Sequence, residues 1–98
     1  MKDELKGEII RTALNAIINS EVTTKFFEEN YIIRIQMFGK KDYIDCLPMQ
    51  TLRLTKTHIL VDNIVKRFRH YLYTEYINSQ NMKIVFDYLT NKEFQKTE

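Results

Sequence analysis

A single cysteine, Cys46, stands in the sequence, so no internal disulfide can form and no site built on several thiolates can assemble. The only other soft ligands are His58 and His70, twelve residues apart with no second cysteine beside either. On that donor set neither a metal nor a cofactor is expected. Two glycines and one proline leave no linker, repeat or low-complexity tract, which points to one compact domain over residues 1–98. Long apolar runs are missing as well. Charges interrupt every hydrophobic stretch short of the roughly 20 residues a membrane span needs. Asp3, Glu4 and Glu8 do not suit the basic start and apolar centre of a signal peptide. The expected location is therefore cytoplasmic, in the host cell's cytoplasm if a phage encodes the chain. Catalytic signatures are also lacking: there is no Gly-rich phosphate loop, H-E-x-x-H, nucleophile elbow or C-x-x-C. The chain is not expected to be an enzyme.

What is present is an ordinary globular balance, 44% hydrophobic and 29% charged over 98 residues. A chain of this length supports one core with little interior to spare for a deep cavity. Ile, Lys, Asn and Tyr contribute 35 residues while Gly, Ala, Pro and Arg contribute 10. The first group is written in A/T-rich codons, a usage expected of a low-GC bacterium or of a phage or plasmid within one.

Periodicity points to an α+β fold. A helix is expected from Asp3 to about Asn19, with Leu5, Ile9, Ala13, Ala16 and Ile17 as its apolar stripe and Ile10 and Leu14 widening it. Ser20 suits the cap of a second, short helix carrying Val22, Phe26 and Phe27 to about Asn30. The period then changes to two: Tyr31, Ile33, Ile35 and Met37 alternate with Ile32, Arg34, Gln36 and Phe38, as in a half-buried strand. Gly39 to Asp42 reads as a hairpin turn and Tyr43 to Leu47 as the returning strand, stopped at Pro48. Leu52 and Leu54 alternate as a short third strand would. From His58 to Ser79 runs a long amphipathic helix with Thr57 as its cap and Val61, Ile64, Val65, Phe68, Leu72 and Tyr76 as its buried stripe. Met82 to Leu89 fits strand or short helix, with β-branched and aromatic content favouring strand. Residues 91–98 read as a frayed tail.

Charge is distributed unevenly. Residues 1–33 carry a net −2, residues 34–70 a net +5 and the remainder a net −1. Lys66, Arg69, His70 and Tyr73 follow the i, i+3, i+4, i+7 spacing of one helix face, with Arg67 flanking it and Arg53 and Lys56 just before the helix. These seven residues are the expected partner-binding set. A protein partner is expected, one with an acidic or nucleic-acid-binding surface, with Arg and Tyr as the anchoring residue types. The reading is a small binding protein, an inhibitor or modulator of phage or mobile-element type acting on a host machine such as a defence or nucleic-acid-handling complex. The alternative is a DNA- or RNA-binding regulator using the basic helix 58–79. No helix-turn-helix is legible, because the segment before that helix reads as strand. Cys46 is expected to lie beside Ile44 on the buried side of its strand, and Glu28 and Glu29 to be solvated charge at a helix end.

Overall fold

The computed structural model describes residues 2–37, 39 and 41–76. Its elements in chain order are α1 (Asp3–Ile17), β1 (Val22–Phe27), β2 (Asn30–Ile35), β3 (Tyr43–Pro48), α2 (Met49–Leu54) and α3 (Thr57–Tyr76). This is an α+β fold: an antiparallel sheet in the order β1-β2-β3 with helices before and after it. The expected strand or helix at 82–89 and the tail at 91–98 lie outside the described residues.

The sheet is a meander, registered from Val22↔Ile35 to Phe27↔Asn30 on one side of β2 and from Asn30↔Pro48 to Ile35↔Tyr43 on the other. Residues opposite one another point to the same face. Tyr31, Ile33 and Ile35 therefore share their face with Leu47, Asp45 and Tyr43, and both long helices pack there. Tyr31 meets α1, where its hydroxyl donates to the Gly7 carbonyl at 2.6 Å. Tyr43 meets α3, its ring centroid 5.3 Å from Phe68 and 5.0 Å from Tyr71. The core joins Ile10, Leu14, Ile33, Ile35, Leu52, Ile64, Phe68 and Leu72 among its buried members. The expected α3 stripe is buried at Val61, Ile64, Val65, Phe68 and Leu72.

Polar ties fix the helices over the sheet. The Asn15 side chain donates to the Val22 carbonyl and accepts from the Val22 amide, pinning the start of β1 under α1. The Lys6 ammonium, on a largely buried side chain, donates to the Thr55 carbonyl at 2.6 Å. Arg53 pairs with Asp3 beside it. Together these seal the start of α1 to the α2–α3 junction.

Several expected elements differ. The short helix at 20–30 is a strand, β1. Val22 and Phe26 fit helical and extended spacing alike, and full pairing with β2 decides for the extended form, which the β-branched Thr23 and Thr24 also favour. The third strand is thus β1, and Leu52 to Thr55 is not a strand. Met49 and Leu52, three apart, are the buried pair of the helix α2, while Leu54 is 77% exposed. Pro48 ends β3 and stands at the N-cap of that helix, where its missing N–H costs no helical hydrogen bond. Thr57 is the first helical residue of α3 and not its cap. On α1, Lys6, Gly7, Ile10 and Leu14 face the core, leaving Leu5 and Ile9 exposed.

Candidate interaction surfaces

The seven residues expected to bind a partner divide into two groups. Lys66, Arg69, His70 and Tyr73 come together on the outer side of α3, all exposed. Arg53, in α2, and Lys56 sit at the α2–α3 junction, and Lys56 lies roughly 15 Å along the α3 axis from Lys66 at 1.5 Å per residue. Much of the basic charge is answered within the protein. Lys66 pairs with Asp62 one turn earlier at 2.9 Å. The Arg67 Nε donates to Asp45 of β3 at 3.0 Å. Arg53 donates to both oxygens of Asp3, and that carboxylate holds its guanidinium pKa above the ordinary value. Tyr73 remains 57% exposed, presenting its ring one turn beyond Arg69 and His70.

Arg67 also bears on the sheet beneath it. Tyr43 lies against Phe68 and Tyr71, and burial pushes its phenol pKa up to about 12. The Asp45 charge adds to that rise and the Arg67 charge opposes it. Burial likewise raises Tyr31.

A second surface went unread in the sequence. The face of the sheet away from the helices carries Phe27, Asn30 and Pro48 in one row, Lys25, Ile32 and Cys46 in the next, and Thr23, Arg34 and Ile44 in the third. Phe27 is 55% exposed and Ile44 56%. A groove of about 490 Å³ runs between Lys25, Ile32, Arg34 and Ile44. This corrects the placement of Cys46. It is exposed on the outer face, as is Ile44, because β3 turns Tyr43, Asp45 and Leu47 toward the helices. An aspartate in the middle of that inward set hides it from a hydrophobicity pattern. The Asp45 carboxylate is accommodated there by its bond from Arg67, while Tyr43 and Leu47 on either side pack into the core. On the face opposite α3, Cys46 does not meet His58 or His70.

Glu28 and Glu29 form the β1–β2 turn and not a helix end. Glu28 has φ +54°, a left-handed conformation that non-glycine residues rarely adopt. The segment before α3 proves helical, so the ground on which a helix-turn-helix was set aside does not stand. The two-residue connection of Thr55 and Lys56 is nonetheless shorter than the three or four residues that motif uses.

Among the described residues no three of His, Cys, Asp or Glu come together as metal ligands, and no helix is long and apolar enough to cross a membrane. The chain matches no family model, no curated protein and no solved structure.

Proposed function

We propose that the protein is a non-enzymatic binding module that engages another protein through the outer side of α3. The observation carrying this reading is the exposed Tyr73 ring with Arg69 and His70 one turn before it. Tyrosine and arginine are the residue types that most often anchor interfaces, giving large contact area and directed hydrogen bonds. The Asp62 carboxylate, held against Lys66, makes the surface mixed in sign. Mixed charge suits a protein surface better than a polyphosphate, since each phosphate approaching Lys66 also approaches Asp62. Action as an inhibitor or modulator of a host machine, in the manner of small phage and mobile-element proteins, accords with the size and the A/T-rich residue usage.

A second reading, nucleic-acid binding through the same helix, is favoured by the shared face of Lys66, Arg69 and His70. Affinity capture with the full chain from a low-GC bacterial lysate, with and without nuclease, separates the two. Under the first reading a defined protein survives nuclease and is lost with the Lys66→Glu/Arg69→Glu variant. Under the second, retention ends with nuclease, and affinity falls with salt at a log–log slope of about −0.9 per duplex phosphate neutralised. If the double variant captures as the parent does in both arms, neither reading stands.

A further inference from the structure

We infer that the outer face of the sheet is a docking surface for an acidic-flanked amphipathic helix of a protein partner, separate from the α3 surface. Three observations carry this. First, five of the nine positions in the three rows are apolar (Phe27, Pro48, Ile32, Cys46 and Ile44), and among the described residues no element packs over them. Contiguous apolar patches of this kind mark interaction sites more often than scattered exposed side chains do.

Second, the charged members of the rows are both basic, Lys25 and Arg34. Arg34 is met from the margin by Asp42. Lys25 makes no ion pair among the described residues and lies over the Phe27 ring, 5.8 Å from its centroid. A partner with carboxylates flanking its apolar stripe would meet Lys25 along β1 and share Arg34. A basic partner would meet repulsion at Lys25, the charge of these rows that makes no ion pair among the described residues.

Third, the middle of the surface is aliphatic. Single-stranded nucleic acid needs aromatic rings on which successive bases stack, whereas these rows hold one ring, at their edge. Ile32 and Ile44 flanking a groove instead suit the leucine or isoleucine stripe of a helix. A helix about 10 Å across spans a sheet of three strands roughly 4.8 Å apart. The opposite face of this same sheet already receives α1 and α3.

Cys46 sits within the rows and reports on them. The test measures the rate at which a thiol reagent modifies it in the native full-length protein. The probe is a synthetic helical peptide with leucine at i, i+3, i+4 and i+7 and glutamate on both flanks. Cys46 is expected to react freely in the protein alone. It should be slowed about tenfold by peptide at ten times its Kd, as mass action requires. Protection should vanish in Lys25→Glu/Arg34→Glu and persist in Lys66→Glu/Arg69→Glu, with circular dichroism showing both variants folded. Slow modification of the protein alone would overturn the inference, because the face would then be covered already. A rate that varies with protein concentration would make the cover a second copy, and a constant rate would make it the chain's own remaining residues. Equal protection by a lysine-flanked peptide would overturn it too, as would protection by a single-stranded oligonucleotide and not by the peptide.

Discussion

Replacing Gly7 by alanine sets two known effects against each other. Gly7 lies within α1, where alanine would ordinarily gain roughly 0.8–1.0 kcal/mol of helix propensity. Here the new methyl would stand 2.9 Å from Cε1 of Tyr31 and 3.1 Å from Cζ of Phe26. Phe26 is part-exposed and can swing away. Tyr31 is fully buried, its ring is packed 5.1 Å from Phe26, and its hydroxyl donates to the carbonyl of Gly7 itself. Moving the ring therefore costs packing, about 1–3 kcal/mol for an overfilled core, and strains a hydrogen bond whose net contribution is roughly 0.5–1.5 kcal/mol. The balance is a destabilisation of about 1–3 kcal/mol. Urea unfolding followed by circular dichroism measures it: with m near the low end of about 1–3 kcal/mol/M, the midpoint should fall by on the order of 1 M. Tyr31→Phe should cost about 1 kcal/mol by itself, and the double variant less than the sum, because both changes act on one contact. A midpoint that rises in Gly7→Ala would show that helix propensity wins and that the Tyr31 ring is free to yield.

Three further outcomes are expected. Glu28→Gly should stabilise by about 0.5–1 kcal/mol, since glycine occupies φ +54° without the Cβ penalty; a lower thermal midpoint would mean that the glutamate side chain holds the turn. Phe68→Ala should cost roughly 3–5 kcal/mol, a large part of a domain's usual stability, because Phe68 is buried between α3 and Tyr43; an unchanged denaturation midpoint would contradict its place in the core. Tyr43 ionises near 12 when folded and near 10 when unfolded, so its contribution is intact below pH 10 and is lost as pH rises from about 10 to about 12. Stability measured across that window should fall less steeply in Tyr43→Phe, and an identical slope would remove the burial argument for Tyr43.

The elements with one apolar face and many residues were legible from spacing alone. Fifteen residues of α1, twenty of α3 and the alternation of Tyr31, Ile33 and Ile35 leave one period that fits. The elements β1 and α2 were not. Val22 to Phe27 and Met49 to Leu54 hold three apolar residues each, too few to separate a period of 3.6 from one of two. Pairing with β2 decided the first and burial of Leu52 the second, and both are tertiary effects. The face of β3 was misread because Asp45 points inward to Arg67, and an error of one residue moves every side chain to the other side. That error concealed the outer surface altogether. On α3 the common face of Lys66, Arg69, His70 and Tyr73 followed from spacing, but the acids that answer Arg53 and Arg67 come from α1 and β3, across the fold.

The bond from Lys6 to the Thr55 carbonyl has a consequence for the order in which the protein is made. It joins residues 49 positions apart, so α1 leaves the ribosome with nothing yet to seal against. At about 5–20 residues per second, the chain needs several seconds more before the α2–α3 junction emerges. Through that interval Ile10 and Leu14 have at most the sheet to cover them, and the Lys6 ammonium keeps its water. Closure waits for that junction, where Thr55 accepts from Lys6 and Arg53 pairs with Asp3. A nascent chain stalled before residue 55 should therefore bind chaperones that a chain stalled well beyond α3 does not.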